Sequence, residues 1–320
     1  MFAIAALLGA LALALAWPVP MLVSRASWPS RAPATALALW QAIALAGGLS
    51  MIGCLLAFGA APAGSLPAAL AQLMPALIGG PIAREFGVLE IAALTLAAAV
   101  ALLLVANLAF VAVRAERERR RQHQLVDVLS DPMPGEPRTR VLAHPAPIAY
   151  CVPGIRTATV LTEGLIEALD PDELTAVIAH ERTHLDQLHH LVRLAFRAWH
   201  SALPWFPIAN RAERSVVILT EMLADDGARR AVGPDALRGA LERVGNPESH
   251  AFADVESNSS PDAEMLTARL ARLDDRGTGA GGAGGAGELR AGARGMVLAA
   301  SVALVAAPLA AFVAILGIVP

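Results

Sequence analysis

Four apolar stretches constrain the fold of this chain more than any other feature of its sequence. They cover residues 1–17, 34–58, 88–113 and 296–319, and each is long and apolar enough to cross a bilayer. Backbone groups in hydrocarbon find no water to bind, so stretches of this kind cross a membrane as helices. With 56% hydrophobic residues in the chain, the sequence predicts a mainly α membrane protein with about four transmembrane helices.

Two further observations concern the number of spans. The stretch 1–17 is at the short limit, and Ala14-Leu15-Ala16 resembles a signal-peptide cleavage site. It lacks basic residues at its start and other spans follow it, which favours a retained first span. Residues 66–82 are also apolar, but prolines and glycines interrupt them. We expect that segment to be interfacial or re-entrant rather than a fifth span.

The arginines near the ends of the spans predict the orientation of the chain. They cluster after the first span, after the third span and before the fourth. All three clusters are cytoplasmic if the N-terminus is outside and the spans alternate. We therefore predict a multi-pass protein of the plasma or bacterial inner membrane whose main polar region is cytoplasmic. The arginines concerned are Arg25, Arg31, Arg114, Arg117, Arg119, Arg120, Arg121, Arg290 and Arg294.

The distribution of charge and composition also divides the chain into four predicted regions. The formal net charge is −3, and no basic face indicates direct binding to nucleic acid. Cys54 and Cys151 are the only cysteines, which excludes a disulfide framework. The predicted regions are a membrane domain with three spans (1–114), a cytoplasmic domain (115–276), a Gly/Ala-rich linker (277–294) and the fourth span (295–320).

The polar region contains a helix whose start is well marked. Asp170 is suited to the N-cap position, Pro171 to the first helical position and Glu173 to the acid of a capping box. Apolar residues then recur at three- and four-residue spacing up to Leu188, which predicts one buried face. The helix carries the sequence His-Glu-Arg-Thr-His at residues 180–184.

The two histidines of this motif have the spacing of metal ligands. Helical residues four apart lie roughly 40° apart around the axis and about 6 Å along it, so His180 and His184 point the same way. Two neutral imidazoles so placed can hold a zinc ion. Glu181, between them, can accept a proton from the attacking water. The motif predicts the core of a metalloprotease, provided that a third ligand exists.

A second helical pattern supplies that ligand about forty residues later. Glu221 and Asp225 are again four residues apart in the sequence Glu-Met-Leu-Ala-Asp. A three-ligand site needs a carboxylate, and an acid behind one ligand fixes the tautomer of a histidine. Glu221 suits the first role and Asp225 the second, on His180. The sequence thus predicts one zinc ion per chain.

Two rival ligands are rejected. His190 has the offset of the last histidine in the metzincin pattern, but that pattern turns at a glycine where this chain has Gln187. We expect the helix to continue through Leu191, which would carry His190 roughly 15 Å from His180 and off its face. Cys151 is not needed, because three better ligands are already present.

The remaining polar region predicts a small sheet and some candidate donors. Runs at 140–142, 148–152 and 157–161 read as strands, with a Pro153-Gly154 turn that joins the last two into a hairpin. We expect an antiparallel sheet, which either pairs with an extended substrate or only covers the core. A developing oxyanion needs a donor. Tyr150, His200 and Arg214 are candidates among which the sequence does not choose.

The motifs are similar to those of integral-membrane gluzincin peptidases. Three spans, a cytoplasmic domain with His180-Glu181-Arg182-Thr183-His184 and Glu221-Met222-Leu223-Ala224-Asp225, and then one more span resemble the BlaR/MecR family. Relatives of the HtpX and CAAX-prenyl-protease type share the motif but place paired spans after it. The resemblance implies an inserted α+β gluzincin-type domain. In that domain His180, His184 and Glu221 bind zinc, Glu181 is the general base and Asp225 is the supporting acid.

The resemblance leaves three hypotheses for function. The first is a zinc endopeptidase that cleaves a cytoplasmic or membrane protein, in regulated proteolysis of a transcriptional repressor. The others are an HtpX-like quality-control protease and a non-catalytic membrane scaffold. The sequence shows none of the serine motifs of a penicillin-binding sensor domain, so we do not expect β-lactam sensing.

Overall fold

The computed structural model describes residues 1–136, 138–154, 157–204, 207–244, 261–277 and 291–318. Within these ranges the chain is mostly helical, with one small sheet. The helices are α1 (Phe2–Ala16), α2 (Pro18–Arg25), α3 (Trp28–Arg31), α4 (Pro33–Gly59), α5 (Leu66–Leu77), α6 (Val88–Leu129), α7 (Glu163–Ala168), α8 (Pro171–Asp186), α9 (His189–Ala202), α10 (Pro207–Val232), α11 (Pro234–Val244), α12 (Pro261–Gly277) and α13 (Ala291–Ile315). The strands are β1 (Ser130–Pro132), β2 (Thr139–Leu142), β3 (Ala149–Val152) and β4 (Ala158–Thr162).

Several helices have the length and composition of membrane spans. Among the described residues these are the segment Phe2–Arg25, α4, α6 and α13. The segment predicted to be interfacial forms α5, which is too short to cross a bilayer. Long apolar helices are therefore confirmed, and it stays a prediction that all four cross the membrane. The predicted end of the last span, at residue 319, lies outside the described residues.

The sheet differs from the expected antiparallel arrangement. Its strand order is β1-β2-β4-β3, and β2 pairs with β4 in parallel. The predicted hairpin between β3 and β4 is confirmed as an antiparallel pair. The hydroxyl of Thr162 accepts a hydrogen bond from Ile148 N at 2.9 Å and donates one to Ala146 O at 2.6 Å. These bonds fix the segment that connects β2 to β3 against the end of β4, and β4 occupies the place beside β2 that a simple meander gives to β3.

The two faces of the sheet pack on different helices. Leu161 on one face lies in a buried cluster with Leu165 and with Ile178 of α8. On the other face, Val152 and Val160 pack against Val126, near the end of α6. Helix α6 runs unbroken from its apolar part to Leu129. The sheet therefore lies between α8 and the polar extension of the long apolar helix α6.

The helices that follow the His-Glu-Arg-Thr-His motif share a core with the apolar helices. Trp40 of α4 is 1% exposed and clusters with Val216 and Leu219 of α10. Asn107, within the apolar part of α6, donates hydrogen bonds to Ala198 O at 2.5 Å and Ser201 Oγ at 2.9 Å in α9. Packing thus crosses the boundary expected at residue 114, and it ties α9 and α10 to the apolar helices α4 and α6.

Candidate metal centre

Helix α8 begins where the sequence predicts and presents its two histidines on a buried face. The capping box is present: the Asp170 side chain accepts from the backbone at the third helical position, and Glu173 accepts from Asp170 N at 3.0 Å. Ala176 and Ile178 lie in the core. His180 and His184 are each 9% exposed. Their Nε2 atoms lie 3.2 Å apart, as expected for residues four apart on one face.

Helix α10 brings a carboxylate to the same point. Glu221 Oε2 lies 3.3 Å from His180 Nε2, and Glu221 Oε1 lies 3.4 Å from His184 Nε2. The two helices can approach because Gly227 of α10 has no side chain; a Cβ there would lie 2.0 Å from the hydroxyl oxygen of Thr183 in α8. Close helix packing therefore sets the distance between the histidines and the carboxylate.

The spacing of these three side chains fits a zinc ion. Ligand atoms about 2.0–2.2 Å from a tetrahedral zinc lie roughly 3.3–3.6 Å from one another. The two Nε2 atoms lie 3.2 Å apart, and each of them lies 3.3 or 3.4 Å from a different oxygen of Glu221, which is close to that range. Two imidazoles and a carboxylate are also the donor set of a catalytic zinc site with one open position. Among the described residues, no other group of histidine, cysteine and acidic side chains converges in this way.

Asp225 lies behind His180. Its Oδ1 is 3.1 Å from His180 Nδ1, a buried ring nitrogen that has no hydrogen bond of regular geometry among the described residues. Arg269 of α12 binds the same carboxylate through both oxygens, at 2.8 and 2.6 Å. With Asp225 beside Nδ1, His180 Nε2 faces the other two side chains, and it would bind a metal through its lone pair once the metal has displaced its proton.

His189 contacts Nδ1 of His184, as Asp225 contacts Nδ1 of His180. This contact of His189 was not predicted. Helix α8 ends at Asp186, and Leu188 adopts a left-handed conformation with φ 53°. The expected continuous helix is therefore wrong. The break turns His189 back, so that its Nδ1 lies 2.9 Å from His184 Nδ1 and its Nε2 lies 3.0 Å from Gln187 Oε1. Because the amide oxygen of Gln187 only accepts, His189 donates from Nε2, and its Nδ1 accepts from His184.

His190 lies outside the group of ligand atoms, although the reason given for rejecting it does not hold. It belongs to the first turn of α9, where burial and the charge of Arg119 lower its pKa.

Burial and the neighbouring His184 lower the pKa of His189 to about 4, so the ring of His189 is neutral at pH 7. In the sequence, only the His189-His190 pair after the motif could have indicated a further histidine at the site. The break at Leu188 decides which of the two faces the site.

Charge in the site follows from burial and close pairing. Burial lowers the pKa of His180, but its contacts with Asp225 and Glu221 outweigh this effect and raise the pKa to about 9. Burial raises the pKa of Glu221, whereas His184 and His180 lower it well below its ordinary value. In the same way Arg269 and His180 lower the pKa of Asp225 to about 2 despite its burial. Both carboxylates are ionised at neutral pH, as the binding of a cation requires.

Glu181 faces the sheet beside the histidines. Strand β3 is an edge strand, since β4 is its only neighbour among the described residues. Burial, followed by the charge of Glu181 and a hydrogen bond to it, raises the pKa of the Cys151 thiol. The thiol thus stays protonated and lies next to the expected general base. The free edge of β3 therefore lies beside Glu181, the residue expected to accept a proton.

The three candidate donors lie elsewhere. Side chains alternate along a strand, so Tyr150 is on the face opposite Cys151 and packs near Val126 and Val152. His200 pairs with Glu213 at 3.3 Å. Arg214 is exposed on α10. The structure brings none of the three to the ligand atoms.

One arginine that the sequence did not single out lies nearer to the ligands. Arg193 of α9 has Nη1 3.9 Å from Glu221 Oε1. Neither Arg193 nor Arg269 belongs to a recognisable motif, and only the fold places them at the site.

Comparison with known proteins yields one match. Residues 112–223 match the sequence profile of Peptidase family M48. The matched segment includes His180, Glu181, His184 and Glu221 and ends two residues before Asp225. No curated protein and no solved structure matches the chain. The match supports a metallopeptidase of a gluzincin-type membrane family, and assignment to the BlaR/MecR group stays a prediction.

Proposed function

We propose that this protein is a membrane-bound, zinc-dependent endopeptidase. The observation that carries the proposal is the convergence of His180, His184 and Glu221, with ligand atoms 3.2–3.4 Å apart. Glu181 lies beside them in a segment that matches a peptidase family. A scaffold that only keeps the fold does not need this glutamate, so its presence favours catalysis.

The roles of the residues follow from their positions. His180, His184 and Glu221 would hold the zinc, which supplies a Lewis acid for the scissile carbonyl and lowers the pKa of water. Glu181 accepts a proton from the attacking water and donates it to the leaving amine nitrogen. Asp225 and His189 keep the two ligand rings oriented, each through its Nδ1.

The free edge of β3 is the surface on which we place the substrate. An extended peptide that adds to this edge gains main-chain hydrogen bonds and lies beside Glu181. Recognition of this kind reads the backbone, so it suits a segment of a protein that is already unfolded or extended. The position of this edge beside Glu181 favours a sheet that binds the substrate over a sheet that only covers the core.

The substrate is a protein at the cytoplasmic face of the membrane or within it. Helices α9 and α10, which flank the site, pack on α4 and α6 through Trp40 and Asn107. The site is therefore tied closely to the membrane helices. Regulated proteolysis of a cytoplasmic repressor is the role we propose. The same packing favours an alternative, HtpX-like quality control of membrane proteins. A gene for a small winged-helix repressor beside the gene for this chain would favour the first.

Replacement of the general base tests the proposal. The wild type and Glu181→Gln, purified in detergent, are incubated with casein, and new N-termini are found by mass spectrometry. We expect zinc in both proteins and cleavage only in the wild type. Asp172→Asn is the matched control, since this acid is exposed in the first turn of the same helix. Cleavage by Glu181→Gln at the wild-type rate would contradict the assignment. Zinc in both proteins with cleavage in neither would favour the scaffold.

A further inference from the structure

Helix α12 carries two buried arginines that the zinc assignment does not use. Arg269 and Arg272 are three residues apart and lie on neighbouring turns of one face. Their side chains are only 11% and 7% exposed. A buried guanidinium is costly unless acceptors surround it. The contacts of these two side chains therefore indicate what α12 does.

Arg269 contacts both carboxylates of the metal centre. Its Nε and Nη2 bind the two oxygens of Asp225 at 2.8 and 2.6 Å, in the two-pronged geometry that favours arginine over lysine. Its Nη1 lies 3.5 Å from Glu221 Oε2. One guanidinium thus holds a proposed zinc ligand and the acid that orients another.

Arg272 points the other way, toward the membrane helices. Its Nε donates to Ser30 O at 2.7 Å, in the short segment between α2 and α4. Its other nitrogens donate to Met222 O at 3.1 Å and to Asp226 Oδ2 at 2.7 Å, next to Glu221 and Asp225. Arg272 therefore joins the connection between the first two membrane helices to the turn of α10 that carries the metal-centre carboxylates.

Apolar contacts hold α12 in this position. Leu273 is buried, and Leu266 and Leu270 pack beside it against Ala228 and Leu237 of the neighbouring helices. On the outside, Arg238 of α11 pairs with Asp274 of α12. Helix α12 lies beyond the segment that matches the peptidase family. It follows the metal-binding helices in the chain and precedes α13, the last membrane-spanning candidate.

We propose that Arg269 is a positioning residue for the metal centre and that Arg272 couples it to the connection between the first two membrane helices. Arg269 fixes the orientation of Glu221 and Asp225. Arg272 fixes α12 to residues 26–32, so a movement of that connection changes the metal centre. The inference rests on the proposed function, because it concerns the same site. It goes beyond that function by naming the route through which the membrane helices regulate the peptidase.

A measurement of metal affinity distinguishes the positioning of the metal centre by Arg269 from a general contribution of Arg269 to stability. The full-length chain in detergent is titrated with Co²⁺ against a competing chelator, and the visible spectrum of bound cobalt reports the coordination. Arg269→Met should lower the affinity about 10–100-fold and change the spectrum, as losses of groups behind the ligands do. Arg269→Lys restores the charge but not the two-pronged contact, so its affinity should lie between those of Arg269→Met and the wild type.

The coupling is tested without touching either carboxylate. Arg272→Met should weaken cobalt binding in the same direction. Pro29→Gly, which loosens the segment that carries Ser30, should do so as well. In the Arg272→Met background, Pro29→Gly should add nothing, because the link is already broken. Arg238→Met is the control: it removes a surface pair that also holds α12, and it should leave affinity and spectrum unchanged.

The outcomes distinguish this inference from the proposed function. Wild-type affinity and spectrum in Arg269→Met would overturn the positioning role, and the zinc assignment would stand. Additive effects of Pro29→Gly and Arg272→Met, or a loss in Arg238→Met as large as in Arg272→Met, would overturn the coupling. If Arg269→Met does not fold, Arg269→Lys and Arg272→Met decide the question. A wild type that binds no metal would remove both proposals.

Discussion

Nδ1 of His189 lies 2.9 Å from Nδ1 of His184, and the outer nitrogen of His189 lies 3.0 Å from Gln187 Oε1. This short chain of side chains fixes which nitrogen of His184 carries the proton. The lone pair of His184 Nε2 is thereby directed toward His180 and Glu221. The turn that ends α8 thus also orients a ring of the proposed zinc site.

This relationship predicts a loss of metal affinity in His189→Ala. Without its acceptor, His184 can place the proton on either nitrogen and its ring can rotate. We expect zinc affinity to fall about 10–100-fold, as for other groups that orient a ligand. His190→Ala is the matched control, since the adjacent ring lies near Arg119 rather than the ligands. Equal affinities of the two variants, measured by chelator competition, would show that His189 does not orient His184.

Glu221 gives the second prediction. Glu221→Ala removes the only carboxylate among the three converging side chains, so zinc binding should be weakened strongly. The measurement is zinc per chain after dialysis against a weak chelator. Glu213→Ala, two turns earlier on the same helix and paired with His200, should retain the wild-type zinc content. Unchanged zinc in Glu221→Ala would exclude this residue as a ligand.

Asp225 gives the third prediction. Asp225→Asn keeps the size of the side chain but removes the charge that pairs with Arg269 and His180. Affinity or activity should fall roughly 10–100-fold. Kinetics and zinc competition on the same preparation measure both quantities. A fully active variant with wild-type affinity would leave Asp225 with a purely structural role.

The close approach of α8 and α10 gives the fourth prediction. In Gly227→Ala the new methyl group would overlap the side chain of Thr183, and overpacking of this kind costs about 1–3 kcal/mol. The helices must separate, so both thermal stability and zinc affinity should fall. Removal of the hydroxyl in Gly227→Ala/Thr183→Ala should restore part of each. If Gly227→Ala has wild-type zinc affinity, helix spacing does not control the centre.

Local signals in the sequence predicted a large part of the fold and the site. Asp170 and Glu173 marked the start of α8 because a capping box is made by residues close in the chain. The four-residue spacing of His180 and His184, and of Glu221 and Asp225, followed from helix geometry alone. The apolar stretches likewise predicted the long helices, because length and composition decide what can lie in a bilayer.

What the sequence missed depends on tertiary contacts. The break after α8, which ends at Asp186, has no glycine to announce it, because Leu188 adopts the left-handed conformation there. The parallel pairing of β2 with β4 is accompanied by bonds from Thr162 to the segment before β3, contacts that no local pattern announces. Arg269 reaches Asp225 from 44 residues further along the chain, and no local pattern encodes such a contact. These are the features that the fold, rather than any motif, places at the metal centre.

The zinc content of the purified full-length protein tests the central claim most directly. The wild type and Glu181→Gln are stripped with a chelator, reloaded with zinc, dialysed and measured by elemental analysis. We expect one zinc per chain in both, because the proposal assigns Glu181 as the base and not as a ligand. We also expect less than one zinc per chain in His184→Ala under the same conditions. A wild type that retains no zinc after reloading would contradict the account.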